Sequence, residues 1–127
     1  MKITSFNPMI FTQNPEDAIK TFEALGFEQR HRKVGLSEYD AVSIRMKDAN
    51  GFHVDVMNQS DDVPRDMTVI RMNVDDFGKA YNLLKDLGFK NSRGNALMGT
   101  GSSYAALMVA PSGFGIYLVK HVREEDR

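Results

Sequence analysis

The chain has no cysteine, and its 127 residues contain no long apolar run. The absence of cysteine excludes disulfides, thiolate nucleophiles and zinc–thiolate sites. No apolar run approaches the roughly 20 residues needed to span a bilayer, so we expect no membrane partner. The formal net charge is only −1. Because no strong electrostatic field surrounds such a chain, nucleic acid is not an expected partner either.

The composition is that of an ordinary globular protein, with 42% apolar and 26% charged residues. A chain of this length has room for one domain and one modest core, so we predict a single domain over residues 1–127. Its first residues, Met1–Phe6, read as a strand and lack the apolar h-region of a signal peptide. By default, this predicts a cytoplasmic protein.

Two amphipathic helices are the clearest local signals. The first begins at Asn14-Pro15, where an asparagine suits the N-cap and a proline suits the first helical turn. It ends before Gly26, which suits a left-handed C-terminal cap. The second begins at Asp75-Asp76 and ends before Gly88. Their apolar stripes have helical spacing and consist of Ala18, Ile19, Phe22 and Leu25, and of Phe77, Ala80, Tyr81, Leu84 and Leu87.

The two helices belong to an internal repeat. Gly26 and Gly88 lie 62 positions apart, and so do Gly51 and Gly113, which each precede an alternating strand. Agreement of cap, stripe, turn and strand at one offset indicates a duplicated unit. Each copy reads as a strand, a helix and three strands. The predicted strands are Ile3–Thr12, Glu28–Val34, Tyr39–Met46, Phe52–Met57, Thr68–Val74, Lys90–Leu97, Tyr104–Val109 and Gly115–Lys120.

Strand alternation divides the side chains between a face toward the helix and a face away from it. Helix-facing residues are predicted to be Phe6, Ile10, Phe52, Val54, Val56, Ile70, Met72, Val74, Ile116 and Leu118. The far face mixes apolar and polar side chains, which is the usual makeup of a small-molecule site. Its predicted ligand-binding residues are Asn7, Met9, His53, Asp55, Met57, Arg71, Asn73 and Tyr117.

Several segments carry a family resemblance: Ile10-Phe11, Ala24-Leu25-Gly26-Phe27, Asp48–Val56, and their counterparts Leu87-Gly88-Phe89 and Ala110–Leu118. In these the chain resembles the vicinal oxygen chelate superfamily, which includes glyoxalase I, bleomycin-resistance proteins and extradiol dioxygenases. The resemblance implies an α+β fold of two tandem βαβββ modules, about residues 1–60 and 66–122. Their mixed sheet is expected to curl around a central cleft, and a homodimer is expected.

The superfamily's metal enzymes take ligands, usually His and Glu, from the first and last strands of each module. Carried over one at a time, these positions fall on Asn7 and Asp55, and 62 residues later on Val69 and Tyr117. Only Asp55 is an ordinary ligand for a divalent metal, because valine cannot ligate and tyrosine rarely does. We therefore predict no metal and no other cofactor.

The leading hypothesis is metal-independent binding of a small, anionic or aromatic molecule. Arg71 would hold an anionic group, and the methionines would give adaptable apolar contact. The alternatives are an internal Arg71–Asp55 ion pair and methionines that only fill the core.

Two further hypotheses stay open. In the first, the chain is an enzyme: a lyase, isomerase or transferase with a rearranged site in which Asp55 and His53 act as base and orienter. Alternatively, it only dimerises and has lost its ligand.

Gly99-Thr100-Gly101 lacks a following helix and is a poor phosphate loop.

Overall fold

The computed structural model describes residues 1–36, 41–58, 66–94, 97–99 and 103–121. Two compact units make up the chain: an N-terminal unit of Asn7–Thr68, and a C-terminal unit of Val69–Arg127 together with Met1–Phe6. The first half of the chain has a βαβββ pattern, and the second half also has a strand, a helix and then strands, four in number among the described residues. The predicted α+β class is confirmed. That both modules form one domain stays a prediction.

The first module contains the strands β1 (Ile3–Thr12), β2 (Glu28–Leu36), β3 (Ala41–Lys47) and β4 (His53–Asn58) and the helix α1 (Pro15–Ala24). The strand order is β2-β3-β4-β1. Strand β4 runs parallel to β1, whereas β2–β3 and β3–β4 are antiparallel. The β3 strand was predicted to begin at Tyr39, which lies outside the described residues.

The second module repeats this arrangement. It contains β5 (Met67–Val74), α2 (Phe77–Asp86), β6 (Lys90–Asn91), β7 (Met98–Gly99), β8 (Ser103–Val109) and β9 (Gly115–His121). Strand β9 runs parallel to β5 and antiparallel to β8. Strands β6 and β7 pair with opposite ends of β8. As in the first module, the first strand lies beside the last one.

The predicted continuous strand Lys90–Leu97 is wrong. The structure has the short strand β6 and then a turn at 92–94, because Asn91 accepts two hydrogen bonds from the backbone that follows it. Its Oδ1 accepts a hydrogen bond from the Arg93 N–H at 3.0 Å, and its carbonyl accepts one from the Gly94 N–H at 3.0 Å. An asparagine side chain that bonds to the backbone two residues onward favours a turn over a strand.

The two helices begin differently. In α2, Oδ1 of Asp76 accepts a hydrogen bond from the Lys79 N–H at 3.1 Å and caps the helix. In α1, Asn14 does not cap through its side chain. Its Nδ2 instead donates to the Asp17 carboxylate at 2.7 Å, so the expected side-chain cap at Asn14 is absent.

Each helix buries its apolar side against its own module. Ile19 of α1 packs with Ile44, Met46 and Val54, bordered by Ile10, Phe22 and Phe27. The second cluster consists of Val74, Phe77, Ala80, Leu84, Ala106, Met108 and Leu118, bordered by Met72, Tyr81, Phe89, Tyr104 and Ile116. Among the described residues, no helix combines the length and apolar character required to cross a membrane.

Four residues assigned to these buried sides are exposed: Phe6, Leu25, Phe52 and Leu87. Leu25 follows Ile19 by six residues, which at 100° per residue places it about 120° away from the buried direction. Phe52 precedes β4 and is held in a turn, where its N–H donates to Oδ1 of Asp48 at 2.9 Å. Its side chain therefore stays 69% exposed.

Candidate functional site

Strands β1, β3 and β4 share a face that points away from α1. Ile44, Met46 and Val54 belong to the core beneath the helix, and Ile10 borders it. Because side chains alternate along a strand, the intervening residues lie on the other side. We call this side the β1–β3–β4 face. Its members include Asn7, Met9, Phe11, Arg45, Lys47, His53, Asp55 and Met57.

A buried carboxylate organises this face. Asp55 is 2% exposed, and its register partners are Arg45 on β3 and Met9 on β1. Arg45 donates from Nε to Oδ1 at 3.0 Å and from Nη2 to Oδ2 at 3.1 Å. Nδ2 of Asn7 also donates to Oδ2, at 2.8 Å. The paired, charge-assisted geometry is the strong form of an arginine–carboxylate contact.

These contacts explain how a carboxylate can lie at this depth. A buried charge without partners is strongly destabilising, and a charge with a paired cation and further hydrogen bonds is tolerated. Here both carboxylate oxygens accept hydrogen bonds from protein donors. Asp55 is therefore held in position by its surroundings and is poorly suited to take a proton from a substrate.

Asn7 is 4% exposed, and the nitrogen and the oxygen of its side-chain amide have different surroundings. Its Nδ2 donates to the Pro8 carbonyl and to Asp55, both at 2.8 Å. Its Oδ1 is buried and has no hydrogen-bond partner among the described residues. A flipped amide would set Oδ1 against a carbonyl and a carboxylate, which both only accept hydrogen bonds, so the orientation is determined by chemistry.

His53 lies two residues before Asp55, on the same face of β4. Its Nε2 is buried and has no hydrogen-bond partner in the described part of the chain. Lys47 is its register partner on β3. The contacts do not support the hypothesis of His53 as orienter of an Asp55 base. No hydrogen bond from His53 Nε2 to Asp55 is present, and the Asp55 carboxylate is engaged by Arg45 and Asn7.

The two predicted methionines occupy different depths on this face. Met9 is fully buried beside Asp55, and Met57 is half-buried beside Phe11. Only Met57 therefore has surface to offer to a ligand.

The other predicted residues lie in the C-terminal unit. Arg71 and Tyr117 are register partners on β5 and β9. Nε of Arg71 donates to Oδ1 of Asn73 at 3.2 Å, so these two residues of β5 support each other. Tyr117 is buried. Their role as ligand contacts, and the alternative Arg71–Asp55 ion pair, stay predictions.

A groove of about 260 Å³ also lies on α2, lined by Phe77, Gly78, Tyr81, Asn82, Lys85 and Leu97. None of the predicted site residues lines it. One of its polar groups is engaged internally, since the Tyr81 hydroxyl accepts a hydrogen bond from Nδ2 of Asn91 at 3.1 Å. Nζ of Lys85 lies 5.8 Å from the centre of the Tyr81 ring. The β1–β3–β4 face is thus the better candidate site.

The family model of the Glyoxalase/Bleomycin resistance protein/Dioxygenase superfamily matches residues 3–118. The chain belongs to this superfamily. No curated protein matches it.

Solved structures with the superfamily fold resemble the chain over most of its length. Methylmalonyl-CoA epimerase from Mycobacterium tuberculosis is 14% identical, with a TM-score of 0.68, and the match covers 97% of this chain and 91% of that one. Another methylmalonyl-CoA epimerase is 20% identical, with a TM-score of 0.62 and coverages of 92% and 94%. A glyoxalase I variant from Zea mays is 13% identical, with a TM-score of 0.61 and coverages of 94% and 43%. At these identities, the likeness shows the fold alone.

The residues at the superfamily's metal-ligand positions show whether this chain has suitable metal ligands. Val69 has no donor atom, and Asn7 turns an N–H toward Asp55 and leaves one oxygen available. Both oxygens of Asp55 are bonded, and the Arg45 cation lies 3.0 Å away. Among the described residues, no three His, Cys, Asp or Glu side chains form a group that could hold a metal ion. These residues do not fit the metal of the superfamily.

Sequence reasoning missed Arg45. The signal was available in the turn between β3 and β4, since Asn50 lies midway between positions 45 and 55. An antiparallel hairpin centred there pairs Arg45 with Asp55 and Lys47 with His53, which is the observed register. The predicted strand bounds contained Arg45, His53 and Asp55, whereas Lys47 lay one residue beyond the predicted end at Met46. For Arg45 and Asp55, only the pairing across the hairpin had to be worked out.

Proposed function

We propose that this protein binds a small organic molecule without a metal ion, through the β1–β3–β4 face. One observation carries the proposal: the carboxylate at the superfamily's ligand position, Asp55, is bonded on both oxygens by Arg45 and Asn7. A bound cation would have to displace a guanidinium that is already in place. Recognition then rests on hydrogen bonds and apolar contact, which suit a small-molecule site.

The same contacts favour binding over catalysis. An enzyme on this face would need a free base, and the Asp55 carboxylate is committed to structural partners. Membership of the superfamily does not decide the point, because one fold hosts many functions. The similar structures named as epimerases share the fold with this chain. Epimerase activity is therefore something to test in this protein, and it is not inferred from the likeness.

Thermal unfolding with a ligand panel tests the proposal. The protein is freed of metal with a chelator, and carboxylic acids, coenzyme A thioesters and aromatic antibiotics are added with and without Zn²⁺, Ni²⁺ or Mn²⁺. We expect a ligand that raises Tm equally in both conditions, with a stabilisation of about 2.7 kcal/mol at 100 times its Kd. A rise that appears only with metal contradicts the proposal.

Two controls separate the possible failures. Elemental analysis of the purified protein should find no stoichiometric metal, and Asp55→Asn should not change the metal content, as the exposed Asp86→Asn should not. Incubation with methylmalonyl-CoA in D₂O should leave the hydrogen at C2 unexchanged. Deuterium uptake at C2 above the protein-free rate would show catalysis and would overturn the binding-protein assignment.

A further inference from the structure

Two buried polar atoms on the β1–β3–β4 face lack hydrogen-bond partners within the described part of the chain, and both lie at the same end of this face. These atoms are Oδ1 of Asn7 and Nε2 of His53. Met9 and Asp55 are register partners, and Asn7 and His53 each precede them by two residues on parallel strands. Continued by two residues, this register sets Asn7 beside His53 on the two neighbouring strands.

An unpaired buried polar group destabilises the folded state, so a native protein that retains one has a reason to do so. Asn7 Oδ1 can only accept a hydrogen bond. The imidazole Nε2 can donate one. A group that donates to the first and accepts from the second would satisfy both atoms, and a single hydroxyl has this combination.

Side chains that stand beside each other on neighbouring strands come within the reach of one bridging hydroxyl. Neighbouring strands lie about 4.8 Å apart, and two hydrogen bonds through one oxygen span up to about 5.6 Å. A hydroxyl on the ligand therefore has the right size and valence to lie between Asn7 and His53.

The charges beside this pair favour an anion next to the hydroxyl. Lys47 is the register partner of His53 and makes no ion pair with any described residue. Its register partner on the other side is Glu28, whose carboxylate pairs with Arg30 at 3.4 Å. Asp55 is paired with Arg45. Among the charges of the described residues, that of Lys47 therefore has no opposite charge paired with it.

We infer that the site recognises a hydroxy acid: a carboxylate held by Lys47, with a hydroxyl on the neighbouring carbon that bridges Asn7 Oδ1 and His53 Nε2. The inference rests on the proposed function and specifies its ligand class. Met57, half-buried on the same face, offers an adaptable contact for an apolar substituent.

A matched pair of probes tests the hydroxyl. 3-Phenyllactate and 3-phenylpropionate differ only by the hydroxyl at C2, and their Kd values are measured by calorimetry on the chelator-treated protein. We expect 3-phenyllactate to bind about 10-fold more tightly, because 3-phenylpropionate leaves two buried polar atoms unpaired. Equal affinities, or no binding of 3-phenyllactate, would overturn the inference.

Two variants locate the contacts, and one serves as control. His53→Phe retains the ring shape and should bring the affinity ratio of the two acids to about 1 without weakening 3-phenylpropionate. Lys47→Met should weaken both acids about 10-fold and leave their ratio unchanged. Lys20→Met, on the exposed side of α1, should change neither value. If His53→Phe leaves the preference intact, the hydroxyl lies elsewhere and the inference is wrong.

The outcomes also separate this inference from the proposed function. Binding of either acid only when a divalent metal is added would contradict the proposed function. Metal-independent binding of both acids with equal affinity would retain the proposed function and reject the hydroxy-acid class.

Discussion

At the scale of single residues, Asp55 has the strongest constraint on the β1–β3–β4 face. Its carboxylate is buried at 2% exposure, whereas the Arg45 side chain that pairs with it is 30% exposed. The pair is therefore asymmetric. Removing the arginine leaves a buried anion, while the arginine itself could reach water if the aspartate were lost.

Arg45→Ala should lower the free energy of unfolding by about 2–3 kcal/mol, because the Asp55 carboxylate loses its cation and retains the amide of Asn7. Urea unfolding at neutral pH measures the change. Arg30→Ala is the matched control, since Arg30 pairs with Glu28 at 3.4 Å with side chains 55% and 73% exposed. Such a surface pair should contribute less than about 1 kcal/mol. Similar losses for both variants would show that Asp55 does not depend on Arg45.

Asp75 shows a second residue-scale effect, at the junction of β5 and α2. Its Oδ1 accepts a hydrogen bond from the Lys2 N–H at 2.6 Å, and its own N–H donates to the Lys2 carbonyl at 3.0 Å. The donated bond from Lys2 is the main reason that the pKa of Asp75 lies below its ordinary value of 3.8. The carboxylate is exposed, so the interaction is screened by solvent.

The lowered pKa predicts a pH dependence with a definite sign. The folded state favours the ionised carboxylate, so this stabilisation is present above pH 3.8 and is lost as the pH falls through the lower folded-state pKa. Asp75→Asn should therefore make the fall in Tm over this acidic window shallower. Lys2→Pro removes the donor N–H and should have the same effect. A pH profile unchanged in both variants would exclude this contact as a source of acid sensitivity.

At the scale of elements, the repeat provides matched comparisons within one molecule. Both helices are followed by a glycine with positive φ, +102° at Gly26 and +95° at Gly88. This left-handed conformation is unfavourable for a residue with a Cβ, so the two glycines serve the same function in both modules. Their surroundings differ. A Cβ at Gly88 would lie 3.0 Å from Cγ of Pro111, whereas one at Gly26 would have no atom within 4 Å.

Gly26→Ala should destabilise the protein by about 1 kcal/mol, through backbone strain alone. Gly88→Ala should cost more, about 2 kcal/mol, because the same strain is joined by the close contact with Pro111. Urea unfolding of both variants under one set of conditions gives the difference. Equal losses would show that the Pro111 ring moves away at no cost.

At the scale of the whole molecule, the modules repeat their exposed apolar residues as well as their cores. Leu25 and Phe52 of the first module correspond, 62 residues later, to Leu87 and Phe114 of the second. All four are more than half exposed. Single exposed apolar side chains are common on protein surfaces, whereas apolar residues that form a contiguous patch mark an interaction site. The superfamily resemblance predicts a homodimer, and these four residues are candidates for its contacts.

Light scattering after gel filtration should therefore give a particle of twice the 14.3 kDa chain mass. Phe52→Glu or Phe114→Glu should shift it toward the single-chain mass, because a charge buried in an interface without a partner is unfavourable. Phe6→Glu is the control, an exposed phenylalanine whose counterpart 62 residues later is Thr68. A dimer that survives both interface variants would place the contact elsewhere.

The proposed hydroxy-acid site depends on features of the residues, of the strands and of the whole module. At the residue scale, Oδ1 of Asn7 has no hydrogen-bond partner among the described residues because the amide turns its Nδ2 toward Asp55 and the Pro8 carbonyl. The module supplies the strand order that makes β1 and β4 parallel neighbours. Both modules share that order, but the second has Val69 and Tyr117 where the first has Asn7 and Asp55. The polar pair at these positions is therefore a property of one module and not of the fold.

The sequence by itself determined the repeat, both helices and nearly all of the strands, because these depend on local properties. Helical spacing, terminal glycines and strand alternation act within a few residues, so they can be read along the chain. They also placed Asn7, His53 and Asp55 on one face. The split after Asn91 was missed, since an asparagine side chain competed with the strand for the backbone.

Only the tertiary structure decided which of these groups are satisfied. Arg45 reaches Asp55 across a hairpin, and Asn7 turns its N–H toward a carboxylate 48 residues away. These choices depend on which strands become neighbours and on the high cost of burying a charge, and neither is a local property. The same packing leaves Phe52 exposed and buries Asn7 Oδ1 without a hydrogen-bond partner among the residues that the structure describes. The sequence therefore located the face, and the three-dimensional pairing determined its chemistry.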